Sequence, residues 1–359
     1  MPKVILGMSG GVDSSVSAAL LKEQGYEVEG ISFILWQARD KFSGCCSLSS
    51  AQSAGRTAGR LGIRHDLLDV RGEFSRLVIE PFAEAYARGM TPNPCILCNR
   101  HIKFPFLLRE AERRGADFIA TGHYARVERD SNAGETVVLK KGLDQRKDQS
   151  YVLYLLREEE LRSLVLPLGS LRKQEVREIA GSLGLEAAYW PESQEICFIE
   201  DNDYCSFLEK HDPSLNCPGP IIDSSGREVG RHQGIHRYTV GQRKGLRIPS
   251  LIPLYVTRID TEKKAVYVGE REDAACSAIE VNQLNWLRKP ELPVFRAGVK
   301  VRSMMKEAPA TIEIRGDAVL IVFDEPVWAP APGQSAVFYD GDTVLGGGIV
   351  LSLQSELSR

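Results

Sequence analysis

The chain contains no apolar stretch that approaches the length of about 18 residues needed for a membrane-spanning helix. No basic segment precedes the short apolar run close to its start, as it would in a secretory signal. A large excess of either charge is also missing, because the formal net charge is only −3. This balance disfavours a protein that coats nucleic acid indiscriminately, although local basic patches can still bind a polyanion. We therefore expect a cytoplasmic protein without a membrane segment.

The sequence contains eight cysteines among 359 residues. In a chain of this length without a recognisable signal peptide, such cysteines are more often reduced thiols, metal ligands or catalytic groups than a disulfide framework. The sequence also lacks repeats and low-complexity tracts. A chain of this size with 43% hydrophobic residues exceeds what one core usually supports, so we expect two or three domains.

The first half alternates short β-branched runs with amphipathic helical patterns, which is typical of a parallel sheet covered by helices. Strands are expected at 4–6, 28–35, 66–70 and 118–120, and helices at 14–24, 50–61, 74–87, 99–114 and 173–183. After about residue 205, proline and glycine become frequent, and hairpins are expected at 255–268, 311–323 and from 336 through a turn at 340–341. We predict an α/β doubly wound parallel-sheet domain over 1–204, a small, mostly β central domain over 205–277 and a C-terminal antiparallel β-barrel over 278–359.

A glycine-rich segment, Ser9-Gly10-Gly11-Val12-Asp13-Ser14-Ser15, directly follows the first predicted strand and opens a helix. Paired glycines allow close backbone approach to a phosphate, and the amides and dipole of the helix favour an anion. The segment has neither the ending of a Walker loop nor the spacing of a dinucleotide-binding loop. It resembles the PP-loop of ATP pyrophosphatases, which cleave ATP between the α and β phosphates and adenylate a substrate oxygen.

This PP-loop resemblance implies an ATP site. Its predicted residues are Gly7, Met8, Ser9, Gly10, Gly11, Val12, Asp13, Ser14, Phe33 and Gly122. Phe33 and Gly122 are included because ligands of such sheets bind at the carboxyl edge of the strands. Asp13 is a candidate contact for Mg²⁺, either directly or through water, since a transferred pyrophosphate usually requires a hard cation. A glycine-rich turn that binds no ligand is the alternative interpretation.

Three cysteines have a chemical context. Cys95 and Cys98 precede the predicted helix 99–114, and Cys197 lies far downstream. A thiol at a helix N-terminus is more nucleophilic at neutral pH, and this is the position predicted for Cys98. Alternatives remain open: Cys197 between Ile196 and Phe198 fits a small buried hydrophobe, Cys95 and Cys98 fit half of a zinc site, and all three fit an iron–sulfur cluster.

Two basic runs suggest a polyanion-binding surface. Six Lys and Arg residues lie between Arg227 and Arg247 against the single acid Glu228. A shorter cluster comprises Lys140, Lys141, Arg146 and Lys147. A solvated surface is the ordinary explanation for such runs, so each of them alone is a weak signal.

Taken together, the motifs resemble the bacterial tRNA-specific 2-thiouridylase family along nearly the whole chain. The matching segments are the PP-loop, Asn93-Pro94, Leu97-Cys98-Asn99, Ile102-Lys103-Phe104, 120–124, 147–151, 196–198, 232–234, 238–246 and 330–338. The resemblance implies ATP-dependent thiolation of C2 of the wobble uridine in tRNA. It further implies that Cys197 carries a persulfide and that Cys98 releases the sulfur by forming a disulfide with Cys197. ATP and Mg²⁺ are the expected cofactors.

The same resemblance implies particular partners. The first domain is expected to include a helical tRNA-binding extension. The expected tRNA contacts lie in this domain and in the barrel, and they are Asn93, Pro94, Cys95, His123, Lys147, Asp148, Gln149, Arg302, Ser303 and Gln334. A sulfur relay protein or a cysteine desulfurase is the expected persulfide donor. The chain departs from the family at Cys95, where many members have an acid, and at Arg302-Ser303-Met304, where they have Arg-Tyr-Arg.

Two other functions fit part of these features. A PP-loop ligase that adenylates a small substrate and adds ammonia would explain the loop but not the separated cysteines or the basic runs. A non-catalytic RNA-binding protein would explain the basic runs, with the loop and the cysteines serving only structural roles.

Overall fold

The computed structural model describes residues 1–36, 48–130, 136–189, 196–199 and 202–354. The chain divides into two compact units, which we describe separately. The first unit comprises Met1–Ile79, Pro94–Asn202 and Asp342–Val344, and the second comprises Glu80–Asn93, Asp203–Gly341 and Leu345–Arg359. None of the helices in the described ranges combines the length and the hydropathy that a membrane span requires.

The α-helices and strands of the described ranges are as follows, and short 3₁₀ and π-helical segments connect some of them. The helices are α1 (Val12–Glu23), α2 (Leu48–Leu61), α3 (Arg71–Phe74), α4 (Glu80–Ala87), α5 (Pro94–Cys98), α6 (Phe104–Arg114), α7 (Glu158–Arg162), α8 (Lys173–Ser182) and α9 (Tyr204–His211). The strands are β1 (Lys3–Gly7), β2 (Glu27–Ile34), β3 (Arg64–Asp69), β4 (Phe118–Ala120), β5 (Ala125–Asp130), β6 (Thr136–Lys141), β7 (Leu164–Val165), β8 (Gly219–Ile222), β9 (Glu228–His232), β10 (Tyr255–Asp260), β11 (Ala265–Gly269), β12 (Ala275–Trp286), β13 (Val294–Lys300), β14 (Ala308–Arg315), β15 (Ala318–Trp328), β16 (Ser335–Asp340) and β17 (Thr343–Gln354).

The first unit contains a parallel sheet with the strand order β3-β2-β1-β4-β7. Strand β1 is central and pairs with β2 on one side and β4 on the other, with Gly7 opposite Ile31 and Leu6 opposite Ala120. The direction of strand succession reverses between β1 and β4, which is the place where sheets of this kind bind ligands. The predicted doubly wound α/β domain is confirmed, and its reversal point coincides with the glycine-rich segment.

Helix α1 is buried because it packs on two sides. Ala18 and Leu21 join the sheet residues Val4 and Leu6 in one fully buried cluster. Val16 faces a second cluster that includes Val176 of α8. Burying each large aliphatic side chain stabilises the fold by about 1.5–3 kcal/mol, so this packing holds the start of α1 firmly against the sheet edge.

The hairpin of β5 and β6 in the first unit was not predicted from the sequence. Its strands pair in antiparallel register, with Val127 opposite Leu139. Alternating charged residues, such as Arg126 and Glu128 on β5, weaken its hydrophobic signal. Such half-exposed strands depend on pairing more than on intrinsic propensity.

The second unit contains two β-structures. The smaller is a sheet with the strand order β10-β11-β8-β9, in which Val256, Val266 and Val268 are buried. The larger has the order β12-β15-β14-β13-β16-β17, and pairing of β12 with β17 closes it into a six-stranded barrel. Fully buried residues such as Ile279, Val299 and Ile321 fill its core. The predicted β-rich central domain and C-terminal antiparallel barrel are confirmed.

Candidate active site

The segment between β1 and α1 is held by contacts of its own glycines and serines. Gly10 has φ +77, and a Cβ on it would lie 2.1 Å from the carbonyl oxygen of Ser50, so a side chain cannot fit without movement. Ser14 Oγ accepts from the Ser9 amide at 3.2 Å and donates to the Gly11 carbonyl oxygen at 3.1 Å. Gly11 occupies the N-cap position of α1 and has no side chain to cap it, so the first-turn amides are open to an anion from that side.

The neighbouring strand ends border this loop in different ways. A Cβ on Gly122, just after β4, would lie 3.0 Å from the Ser14 amide nitrogen, so a side chain there would require a small shift of the start of α1. Phe33, near the end of β2, is only 7% exposed. The structure therefore places Gly122 directly against the start of α1. The ring of Phe33 therefore has little exposed surface for contact with a ligand. A contact at this position would involve the backbone of Phe33, near the end of the strand.

The carboxylate of Asp13 has two partners that the sequence reasoning missed. Its Oδ1 accepts a hydrogen bond from the Tyr124 hydroxyl at 2.7 Å and from Lys173 Nζ at 2.7 Å. The Lys173 side chain is 10% exposed and that of Asp13 35%. Asp13, the predicted Mg²⁺ contact, is therefore already bound by a nearly buried cation. The available signal was a lysine at the first position of the predicted helix 173–183, where the helix dipole disfavours a cation.

The helix that carries Cys95 and Cys98 begins earlier than the sequence predicted. Cys98 was expected at the N-terminus of a helix over 99–114, but α5 begins at Pro94, and Cys98, with φ −61 and ψ −45, lies within a helical run that continues through a π-helical segment, Asn99–Lys103, into α6. Proline suits a first helical turn because its missing amide has no partner there anyway. The argument that a helix N-terminus activates the Cys98 thiol is therefore wrong. Cys98 is buried and Cys95 is exposed, although a spacing of three residues places both on the same general face of the helix.

Asn99, directly after Cys98, has a buried acceptor. Its Nδ2 donates to the Val152 carbonyl oxygen at 3.0 Å, and the residue is 2% exposed. Among the described residues, nothing donates to its Oδ1. A buried oxygen without a donor costs about 1–3 kcal/mol, so a ligand that donates a hydrogen bond there would recover this energy.

The backbone around Cys197 is anchored on both sides. Trp36 Nε1, just after β2, donates to the Cys197 carbonyl oxygen at 3.1 Å. Phe198 is buried and meets Phe74 of α3 edge to face, with ring centroids 5.5 Å apart. The alternative of Cys197 as a fully buried small hydrophobe does not hold, because the residue is partly exposed. The anchors hold the backbone on both sides of this partly exposed residue.

The three cysteines proposed as iron ligands do not form a metal-binding group. Over the described ranges, no three His, Cys, Asp or Glu side chains come close enough together to hold a metal ion. Cys95, Cys98 and Cys197 all lie within those ranges. A cluster held by all three thiols stays a prediction.

The predicted tRNA contacts at 147–149 differ in their surroundings. Asp148 Oδ1 accepts from the amides of Gly142 and Ser150, at 3.0 and 3.1 Å, and so shapes the turn. Gln149 Oε1 accepts from the Tyr124 amide at 3.0 Å, although Gln149 itself is exposed. Asp148 thus orders the loop, and Gln149 and Lys147 remain the better candidates for direct contact with RNA.

His123 is held neutral by its surroundings. Its Nδ1 lies 2.7 Å from Thr121 Oγ1, and its ring stacks on Phe104 with centroids 6.0 Å apart. Burial, with a smaller contribution from the Lys103 charge, lowers the pKa of His123 to about 3. A predicted contact of His123 with tRNA would therefore use an uncharged imidazole.

In the second unit, Gln334 and Arg302 bind the backbone. Gln334 Nε2 donates to the Thr91 carbonyl oxygen at 2.7 Å, which fixes the segment that leads to Asn93. Arg302 donates to the carbonyl oxygens of Val240 and Ala329, at 2.9 and 2.7 Å. Both side chains thus stabilise the local backbone. A contact of Gln334, Arg302 or the partly exposed Ser303 with tRNA stays a prediction.

Comparison with known proteins gives a consistent result. Three family models match successive parts of the chain: a tRNA methyl transferase HUP domain over 2–201, a tRNA methyl transferase PRC-barrel domain over 205–270 and an aminomethyltransferase β-barrel domain over 276–350.

Curated relatives match along almost their full lengths. The tRNA-specific 2-thiouridylase of Symbiobacterium thermophilum is 46% identical over 357 residues, covering 97% of this chain and 92% of the relative. That of Carboxydothermus hydrogenoformans is 47% identical over 355 residues, covering 97% of each. That of Clostridioides difficile is 44% identical over 353 residues, covering 97% of this chain and 98% of the relative. With the glycine-rich loop, the strand order and the two cysteine segments in place, these matches show that the chain belongs to the tRNA-specific 2-thiouridylase family.

Proposed function

We propose that this enzyme uses ATP to replace the C2 oxygen of the wobble uridine in tRNA by sulfur. The observation that carries the proposal is that the glycine-rich loop, Cys98 and Cys197 all lie in the first unit, in a chain that matches 2-thiouridylases along its length. A carbonyl oxygen is a poor leaving group until it is adenylated, so the reaction needs both an ATP site and a sulfur nucleophile.

In the first step, the C2 oxygen attacks the α-phosphorus of ATP, and the bond to the β-phosphate oxygen breaks to release pyrophosphate. The open amides at the start of α1 would bind the phosphates, and the close backbone packing at Gly10 and Gly122 holds the loop in position for them. Mg²⁺ would supply further positive charge to the pyrophosphate.

Lys173 is the residue of this chain best placed to assist pyrophosphate departure. Its ammonium group is almost buried and lies beside the phosphate loop through its contact with Asp13. Preorganised positive charge in a site with little water stabilises developing negative charge far better than a solvated lysine would. We infer that Asp13 positions this ammonium group, and that Tyr124 holds the Asp13 carboxylate in turn.

In the second step, the terminal sulfur of a Cys197 persulfide attacks C2 and AMP leaves with the former carbonyl oxygen. The Cys98 thiolate then attacks the Sγ of Cys197, which breaks the persulfide S–S bond, leaves the sulfur on the uridine and forms a Cys98 to Cys197 disulfide. An external dithiol must reduce this disulfide before the next cycle. The persulfide comes from a donor protein of the sulfur relay or cysteine desulfurase class.

One reaction mixture separates this function from its alternatives. The protein is incubated with ATP, Mg²⁺, a persulfide donor and unmodified tRNA, and both pyrophosphate and the mass of digested nucleosides are measured. We expect pyrophosphate release that depends on tRNA and a uridine heavier by the difference between sulfur and oxygen. Pyrophosphate release with a small substrate instead of tRNA would indicate a ligase. Binding of tRNA without pyrophosphate would indicate an RNA-binding protein.

A further inference from the structure

The basic run from Arg227 to Arg247 divides into two parts with different surroundings. The first three arginines are each bound by an acid of the second unit: Arg227 by Asp223 at 2.9 Å, Arg231 by Glu228 at 3.2 Å, and Arg237 by Glu209. Their charges are compensated within the protein. These residues therefore do not account for a surplus of positive charge at the surface.

The other three cations have no such compensation. Arg243, Lys244 and Arg247 are exposed, and among the described residues no carboxylate pairs with any of them. Between Arg243 and Arg247 the sequence contains no acid. We refer to residues 241–247 as the basic loop. It concentrates three uncompensated positive charges within five residues.

The basic loop is held in a defined conformation. Gln242 Oε1 accepts from the Thr239 amide at 3.0 Å, and its Nε2 donates to the Lys244 carbonyl oxygen at 3.0 Å. The Gly241 amide donates to the Val256 carbonyl oxygen at 2.7 Å. Leu246 is only 7% exposed and packs in the core of the smaller sheet. Because the backbone is already ordered, ligand binding to this loop costs less conformational entropy.

Arg247 has a backbone conformation that disfavours its own side chain. Its φ is +55, in the left-handed region where glycine carries no steric penalty. Other non-glycine residues of this kind have internal contacts, such as Lys264, whose carbonyl oxygen lies 3.0 Å from His232 Nε2. Arg247 is exposed and has no acidic partner in the described structure. A strained, solvent-facing arginine points to a ligand outside the chain.

From these observations we infer that Arg243, Lys244 and Arg247 form a preorganised site for backbone phosphates of tRNA. The inference rests on the proposed function, which supplies RNA as the substrate, and it names the part of the second unit that binds it. A polyanion matches three like charges that have no acid or aromatic residue between them. The side chains contact phosphates and not base edges, so this site contributes affinity without reading sequence.

A pair of double variants with equal loss of charge tests the site in the full-length protein. Arg243→Gln with Lys244→Gln removes two uncompensated charges, whereas Arg227→Gln with Arg231→Gln removes two compensated ones. The dissociation constant of unmodified tRNA is measured over a range of salt concentrations. We expect the first variant to lower the slope of log affinity against log salt by about 1.4–1.8, because each phosphate contact contributes about 0.7–0.9. The second variant should retain the wild-type slope.

Arg247 has a test of its own that separates binding from folding. Arg247→Gly should reduce the salt slope by about 0.7–0.9 while leaving the melting temperature equal or higher, because glycine removes the strain. Arg247→Lys should retain most of the slope. A lower melting temperature with an unchanged slope in Arg247→Gly would assign Arg247 a structural role and overturn its part of the inference.

The outcome for the site is distinguishable from that for the enzyme. If wild type thiolates tRNA and both double variants bind it with the same slope, the phosphate site is wrong and the proposed function stands. If the Arg243 and Lys244 variant loses only affinity for the persulfide donor, the loop contacts a protein and the inference fails. If wild type neither binds nor thiolates tRNA, the proposed function itself fails.

Discussion

Lys173 Nζ lies 2.7 Å from Asp13 Oδ1, although the two residues are 160 positions apart in the chain. The contact joins the first turn of α8 to the first turn of α1. Tyr124, directly before β5, donates its hydroxyl to the same carboxylate oxygen at 2.7 Å. A nearly buried ammonium group thus stands beside the loop predicted to bind ATP. Its chemistry can be tested independently of the RNA-binding surface.

Lys173→Met should reduce tRNA-dependent pyrophosphate release by about 100-fold to 1000-fold, which is the typical effect of removing one preorganised electrostatic group. The affinity for tRNA should change little, because the substitution removes the ammonium group beside the phosphate loop and leaves the basic runs unchanged. Pyrophosphate release at saturating ATP and tRNA is the measurement. The exposed Lys210 provides a control, and Lys210→Met should retain wild-type turnover. Wild-type turnover in Lys173→Met would remove this lysine from the site.

Gly10→Ala should destabilise the protein and weaken ATP binding, since its Cβ would lie 2.1 Å from the Ser50 carbonyl oxygen. Gly25 is a matched control with a similar φ, +84 against +77, but with nothing within 4 Å of its Cβ position. Gly25→Ala should therefore cost only about 1–2 kcal/mol for the left-handed backbone. Unfolding free energies and thermal protection by ATP distinguish the two. Equal destabilisation would show that the loop relaxes around the added methyl group.

The cysteines should divide the sulfur chemistry between them. Cys197→Ser should still release pyrophosphate with tRNA but should fail to accept labelled sulfur from the donor. Cys98→Ser should accept the label and then stall, because no second thiol resolves the persulfide. Labelled-sulfur loading and nucleoside mass measure the two steps. Cys217→Ser is the control, since Cys217 lies in the second unit, where its Sγ contacts Lys264 Nζ at 3.0 Å.

Cys95→Ser decides between a dithiol mechanism and an iron cluster. With Cys98 and Cys197 sufficient, this variant should retain thiolation, because Cys95 is exposed and outside the proposed disulfide. Iron content and visible absorption after anaerobic purification are measured alongside activity. Loss of both iron and thiolation in Cys95→Ser would instead support a cluster held by three cysteines.

His123 should make stability depend on pH. Burial lowers its pKa from 6.5 to about 3, so the unfolded state binds the extra proton between these values. Protonation of His123 therefore does not reduce the free energy of unfolding above pH 6.5, and it reduces it progressively as pH falls from 6.5 towards 3. Between pH 6.5 and 5, the free energy of unfolding of His123→Gln should therefore fall less than that of wild type, by up to about 1.4 kcal/mol per pH unit. Denaturant unfolding at several pH values measures this, with the exposed His211→Gln as the control.

Local sequence determined the architecture and the phosphate loop. The paired glycines at 10 and 11 indicate a turn without side chains. The helix that follows presents its N-terminal amides to an anion at the end of the strand. The hairpins of the second half follow from alternating residues around short polar turns, as at Gly316 between β14 and β15. The start of α5 at Pro94 could also have been predicted from the sequence, because proline favours a first helical turn. These features depend on neighbours within a few residues, so a pattern can reveal them.

Only the tertiary structure decided which charges remain available. In the sequence, Arg237, Arg243 and Arg247 belong to one basic run, yet folding pairs Arg237 with Glu209, which lies far earlier in the chain, and leaves the other two exposed. It likewise brings Lys173 to Asp13 and turns Arg302 towards backbone carbonyls. The physical reason is that electrostatic partners are set by distance in space, which the order of residues does not specify.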